Sequence, residues 1–307
     1  MVTRPLATGP SNPAICGSDL LKETETLRPG ALELDAPDRY HRVVSRPCLS
    51  FLSDFGLRDF YVASVKAVIL GICEDVRITD ISHQVPPHDI REAAFTLASC
   101  YYCFPPNSIH LVVVDPGVGS DRRAVIASSS EHVFVSPDNG VLSLVLEKEG
   151  IEEVVEIQDR GFYRQPVAPT FHGRDILGPV AAHLARGVPA RNFGPLRKDF
   201  VRLNINSLDQ KDPDMISATV IHIDRFGNVI TNVRKADLLT WLGSDRPGRL
   251  EIQGRVIEQH CRYYAEARPD EPFSILGSSG FLEIAAFSDS AARILGVGVG
   301  SSVKVTT

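Results

Sequence analysis

From Cys48 to Arg186 short apolar runs alternate with segments of helical period, and no other feature restricts the fold as much. A chain that alternates in this way buries its strands most easily as neighbours in a largely parallel sheet, with the helices crossing over its faces. Strands are predicted at Leu49–Leu52, Val76–Ile81, Ile109–Val114, Ala124–Ala127, Val133–Val135 and Val154–Ile157. Ile109–Val114 is apolar at every position except His110, the pattern of a strand covered on both faces. Helices are predicted at Tyr61–Cys73, Asp89–Cys103, Val141–Lys148 and Ile176–Arg186, the second opened by an Asp89 cap.

The pattern changes after Arg202. Asn204–Asp214 is polar and reads as a linker. Beyond it come short strands with turn signals, at Ser217–Ile223, Val229–Asn232, Arg249–Ile257, Phe273–Leu276, Phe281–Ala285 and Ser302–Val305. Only Lys235–Leu242 and Ala291–Leu295 read as helical there. The expectation is an α/β domain over 47–203, a linker at 204–214 and a smaller, mainly antiparallel β domain over 215–307. Residues 1–46 are rich in Pro, Gly, Thr and charge without a sustained period, and read as a flexible extension.

Charge and composition exclude some functions. A net charge of −6 argues against a nucleic-acid scaffold. No run reaches the roughly 18 apolar residues of a membrane span, and the N-terminus has no signal-peptide core. The six cysteines are scattered, and the pair Cys100 and Cys103 has no second pair at ligand spacing, so both read as buried thiols in a reducing cytoplasm. His83, His88, Asp80 and Asp89 lack the spacing of a metal site, and neither a metal nor a cofactor is expected.

Ligands of open α/β sheets bind beyond the carboxyl ends of the strands, and three polar clusters fall at such places. Ser53-Asp54-Phe55-Gly56, with Asp59 close behind, follows the first strand. An aspartate there suits the two hydroxyls of a ribose, or equally a turn or cap. Asp115-Pro-Gly-Val-Gly-Ser-Asp-Arg-Arg123 follows the most apolar strand. Its glycines permit a tight turn across which Asp115 and Arg122 face each other, although a plain hairpin connection has the same composition. Its spacing matches neither a dinucleotide fingerprint nor a P-loop. Thr170-Phe171-His172-Gly173-Arg174-Asp175 stands directly before a helix, where His172 is as easily structural as catalytic. Pro137-Asp138-Asn139-Gly140 reads as a turn.

Taken together, these segments, with Ile-Asp-Arg-Phe-Gly-Asn-Val at 223–229 and Ser-Ser-Gly-Phe-Leu-Glu-Ile-Ala at 278–285, resemble the S-adenosyl-L-methionine hydrolase (adenosine-forming) family, also called SAM hydroxide adenosyltransferases. Adenosyl-fluoride and adenosyl-chloride synthases are its relatives. The resemblance runs over about 48–307 and implies a Rossmann-like first domain. It places the family's Asp–Arg–His catalytic set on Asp115, Arg122 and His172. It assigns the ribose to Asp54, and the methionine group to Asp59, Asp224 and Ser278. Adenine falls to Phe226, Asn228 and Tyr264. Gly173 stands where the fluorinating relatives carry a halide-contacting serine, and those relatives have tyrosine in place of Asp115 and His172. Gly277 and Phe287-Ser288-Asp289 depart from the family's usual residues.

The implied reaction is hydrolysis of S-adenosyl-L-methionine to adenosine and L-methionine, by in-line attack of an activated water on ribose C5′. The implied assembly is a homotrimer with sites between subunits. An adenosyl halide synthase and a non-catalytic SAM or nucleoside sensor are the alternatives, the second distinguished by binding without turnover.

Overall fold

The computed structural model describes residues 46–205, 207–269 and 271–306. The predicted extension, apart from Arg46, and Cys16 within it lie outside the described residues. In the first domain the elements run β1 (Cys48–Ser53), α1 (Tyr61–Ile72), β2 (Arg77–Ser82), α2 (Ile90–Ala98), β3 (Ser108–Val113), β4 (Ala124–Ser129), β5 (His132–Pro137), α3 (Ser143–Lys148), β6 (Ile151–Glu156) and α4 (Gly178–Ala185). The sheet order is β2-β1-β3-β5-β4-β6. The first four are parallel neighbours, while β4 pairs antiparallel with both β5 and β6. β3 is buried at all six positions, His110 included, as its composition predicts. His110 is tolerated there because Ser50 Oγ lies 2.7 Å from its Nδ1, and burial drives its pKa down to about 3.

Each face of this sheet carries its own core. α1 and α4 cover one face, with Val65, Ile69, Leu177 and Val180 packed on Phe51 and Leu111. α2 and α3 cover the other, with Leu97 and Leu144 packed on Leu52 and Val112. α2 is capped as predicted, Asp89 accepting the Glu92 N–H at 2.9 Å, but it stops at Ala98. A 3₁₀ turn at Tyr101–Cys103 follows, and it leaves Cys100 half-buried and Cys103 exposed, which corrects the expectation of two buried thiols.

The second domain continues with β7 (Asp209–Asp212), β8 (Met215–Ile223), β9 (Val229–Arg234), α5 (Lys235–Leu242), β10 (Arg249–Ile252), β11 (Arg255–Ile257), β12 (His260–Cys261), β13 (Pro272–Leu276), β14 (Phe281–Ala286), α6 (Ala291–Leu295) and β15 (Ser302–Thr306). These strands form one nine-stranded sheet, antiparallel except between β12 and β13. The stretch predicted as a linker contains β7, which pairs with β8. The run predicted as one strand over 249–257 is a hairpin, turned at Gln253 and Gly254, both with positive φ. The two sheets meet through α2: Phe95 stacks on His222 of β8, and Glu92 lies 2.8 Å from His222 Nδ1. No helix among the described residues is long and apolar enough to cross a membrane.

Candidate active site

β2, β1 and β3 are adjacent and parallel, so their carboxyl ends open on one edge of the sheet. The connection order reverses between β1 and β3, the crevice where open α/β sheets bind ligands. A cleft of about 260 Å³ lies there, lined by Asp54, Phe55, Asp115, Phe171, His172 and Gly173 among others.

Asp115 follows β3 and starts a turn closed by backbone bonds from Val118 N to Asp115 O (3.2 Å) and from Ser120 N to Gly117 O (3.1 Å). The chain then returns Arg122 to face Asp115, as the glycine spacing predicts. Arg122 Nε donates to both carboxylate oxygens at 2.9 Å, and its Nη2 makes a further close contact with Oδ2. Both side chains are nearly buried, which strengthens this forked pair. The same Nη2 lies 3.0 Å from His172 Nδ1. His172 is fixed by the π-turn at Gly173–Leu177 that feeds into α4, a local irregularity typical of functional sites. Burial first, and then the Arg122 charge, hold the His172 pKa below the ordinary imidazole range, although Asp115 and Asp175 pull the other way. An arginine only donates, so Nδ1 accepts, and the neutral ring carries its proton on Nε2. Asp115, Arg122 and His172 are thus one hydrogen-bonded chain. Asp115 and His172 line the cleft, while Arg122 stands behind them and lines a polar cleft of about 710 Å³ on its other side.

Asp54 lines the first cleft, its Oδ2 accepting the His88 N–H at 2.9 Å. His88 takes a left-handed φ of 68°, strained for a non-glycine residue, to aim that N–H. Gly173 also lines the cleft, and a Cβ there would sit 2.7 Å from Val113 Cγ1, so the backbone approaches closer than any side chain permits. Asp59 is not brought to the others. After the turn at Gly56 the chain bends outward, and Asp59 is exposed and lines neither this cleft nor the second domain's. Arg123 points away from Asp115 to Asp138 and Asp199, each at 2.9 Å, and so ties the loop after β5 to the site.

Asp224, Phe226, Asn228, Tyr264 and Ser278 all line a second, open cleft of about 740 Å³. Asp224 Oδ1 accepts the backbone N–H groups of Phe226 and Asn228, both at 2.9 Å, and Oδ2 accepts Asn228 Nδ2 at 2.8 Å. That nitrogen also lies 3.4 Å from the Tyr264 hydroxyl. The Phe226 ring, held up by this turn, is 77% exposed. The departures noted in the sequence have local causes. A Cβ at Gly277 would fall 1.6 Å from Glu283 Oε1, so Glu283 fills that space. Burial pushes the Glu283 carboxyl up to about 7, with the Asp224 charge adding to it. Ser288, which lines the cleft, takes a left-handed φ of 57°. His88 also lines the first cleft, and a lone histidine in a loop before a helix is too common a signal to mark it in the sequence.

A doubly covered α/β sheet with a polar Asp–Arg–His chain at its switch point, joined to an antiparallel sheet bearing an aromatic cleft, defines a two-domain protein built around a small polar and aromatic ligand. Residues 49–194 match the SAM hydroxide adenosyltransferase N-terminal domain, and residues 218–304 match its C-terminal domain. The chain is 36% identical over 263 residues to the (R)-S-adenosyl-L-methionine hydrolase of Salinispora tropica, covering 85% of this chain and 98% of that protein. A Nocardia brasiliensis protein named fluorinase matches at 27% over 293 residues, covering 85% and 97%. The crystal structure of an uncharacterized conserved protein from Thermotoga maritima superposes with a TM-score of 0.79 at 34% identity, covering 84% of this chain and all of that one. The chain belongs to the SAM hydroxide adenosyltransferase family.

Proposed function

We propose that this protein hydrolyses S-adenosyl-L-methionine to adenosine and L-methionine, with Asp115, Arg122 and His172 as catalytic residues. The observation that carries the reading is the hydrogen-bonded chain from Asp115 through Arg122 to His172, facing a cleft that also holds Asp54. Such a chain suits a water nucleophile, which needs orientation and a proton acceptor; a halide needs neither.

The sulfonium leaves as a neutral thioether, so no acid is required at the methionine end. The difficulty is the water, whose pKa in bulk is about 15.7. With Nδ1 engaged by Arg122, His172 offers its Nε2–H to the water and orients it in line with the C5′–S bond. Asp115 takes the proton as the C5′–O bond forms and the C5′–S bond breaks, a general-base contribution of about 10²–10⁴-fold. Arg122 steadies the negative charge that builds on the attacking oxygen. The products are adenosine, methionine and one proton. Asp54 binds the ribose hydroxyls, while Phe226, Asn228 and Tyr264 take the adenine. Asp224, Ser278 and Asp59 take the amino-acid group, and the exposure of Asp59 means that bound substrate or a neighbouring subunit must complete its contact.

We infer further that 47–203 is the catalytic domain, that 204–214 joins it to 215–307, and that the site is completed between copies in a homotrimer. Two features support this. Among the described residues the two clefts share no lining residue within one chain. Large exposed apolar side chains cluster beside each, Leu57, Phe60 and Tyr61 near the first and Phe226, Tyr264 and Phe287 at the second. A cytoplasmic setting fits five described cysteines that remain thiols.

Product analysis by liquid chromatography after incubation with S-adenosylmethionine in chloride buffer tests the reading. Adenosine and methionine in equal amounts are expected. A 5′-chloro product would make the protein a halide synthase, and tight binding without turnover would make it a sensor.

A further inference from the structure

Ser53 and His83 form a buried polar pair beside the first cleft that the proposed chemistry does not use, and from it a polar line runs out to Asp80 and Lys66 at the surface. Ser53 Oγ lies 2.7 Å from His83 Nδ1, and His83 Nε2 lies 3.1 Å from Asp80 Oδ1. Lys66 Nζ closes the line at 2.6 Å from Asp80 Oδ2. Serine, histidine and aspartate in this order suggest a hydrolytic triad, but Ser53 is fully buried at the end of β1 and no substrate reaches it. Its place in the fold gives a different role. Ser53 and Gly56 flank Asp54 and Phe55, and both are held by the same residue. His83 takes the Ser53 side chain on its ring, and its backbone carbonyl accepts the Gly56 N–H at 2.6 Å. The Phe55 N–H in turn points to Ser53 Oγ at 3.4 Å. The Asp80 carboxylate favours a proton on Nε2, leaving Nδ1 to accept from the Ser53 hydroxyl. The hydrogen bonds then run in one direction, from Phe55 N–H to Ser53 to His83.

We propose that His83 is a positioning residue for substrate recognition: it grips both ends of the Asp54 loop and so fixes the carboxylate that reads the ribose hydroxyls. Burial keeps the imidazole in its neutral form, the form with an acceptor nitrogen for Ser53. The inference rests on the reading of Asp54 as the ribose ligand.

The readout that separates positioning from mere folding is discrimination between S-adenosylmethionine and its 2′-deoxy analogue, measured as the ratio of their kcat/KM values with the full chain. Asp54→Ala abolishes the preference for the ribose form. His83→Leu and Ser53→Ala each lower it about tenfold, the size expected when a hydrogen bond to a charged group loses its alignment. Their kcat on S-adenosylmethionine changes less, by about threefold at most. His83→Asn, whose amide oxygen stands near the lost Nδ1, retains the preference. If His83→Leu does not fold, Ser53→Ala decides, since it removes one oxygen and leaves no large cavity. The proposal is overturned if Asp54→Ala loses the preference while the folded His83 and Ser53 variants keep it. If Asp54→Ala itself keeps the preference, the ribose assignment falls, and the role of His83 falls with it.

Discussion

The two clefts are built on opposite plans. In the first domain the candidate functional groups stand at the ends of buried parallel strands and are tied by direct hydrogen bonds: Asp115 to Arg122, Arg122 to His172, Asp54 to the His88 backbone. In the second domain a turn between β8 and β9 is stabilised internally by Asp224, and it holds an aromatic ring out from the surface. Chemistry that must place a water within a fraction of an ångström needs the first plan. Recognition of a flat base, the role proposed for the second cleft, needs area more than precision.

The contrast is sharpest in kinetics. Asp115→Ala removes the proposed proton acceptor and leaves the Arg122 charge without its carboxylate in a nearly buried site. It should lower kcat about 10³-fold with little change in KM, measured by steady-state adenosine release. Phe226→Ala should do the reverse, raising KM about tenfold while kcat holds, since stacking serves ground state and transition state alike. Equal losses in kcat from both variants would erase the distinction between the clefts. Mixing the chains tests whether the clefts meet between copies. Refolding Asp115→Ala together with a Phe226→Ala, Asn228→Ala double variant should restore about a quarter of the sites to wild-type composition in a ring of randomly mixed subunits. Activity no greater than the average of the parents would place both halves within one chain.

Acidity gives a smaller effect, again confined to the first domain. His172 must be neutral to leave Nδ1 free for Arg122, and its pKa lies below the ordinary 6.5. The kcat/KM profile should therefore stay flat through neutral pH and fall only as pH drops below 6.5 toward that lowered value. Stability should fall in the same direction. His110 is neutral in the fold down to about 3 but takes up a proton near 6.5 once unfolded, so the unfolded state binds more protons between those values. A melting temperature that rises on acidification from pH 6.5 to 5 would contradict this.

The same division decided what the sequence could show. Strand periodicity made the first domain's sheet readable, and polar clusters at strand ends named the residues that lie together there. Its irregular parts were hidden: the π-turn that aims His172 and the antiparallel β4 leave no periodic signal. Asp59 looked like part of the Asp54 cluster because four residues separate them, yet the bend after Gly56 carries it outward. In the second domain the cleft residues came from the family motifs alone. Asp224 and Tyr264 are forty residues apart and meet only because β9, β14 and β13 fold between them. Gln253-Gly254, a plain hairpin signal, was masked by apolar residues on both sides.

Asp115, Arg122 and His172 are proposed to direct a water to carbon. Turnover of S-adenosylmethionine in ¹⁸O-labelled water, followed by mass spectrometry of the adenosine, tests it most directly. One labelled oxygen per adenosine is expected, at O5′, with loss of that product in Asp115→Ala. Unlabelled adenosine, or a 5′-halogenated nucleoside in its place, would contradict it.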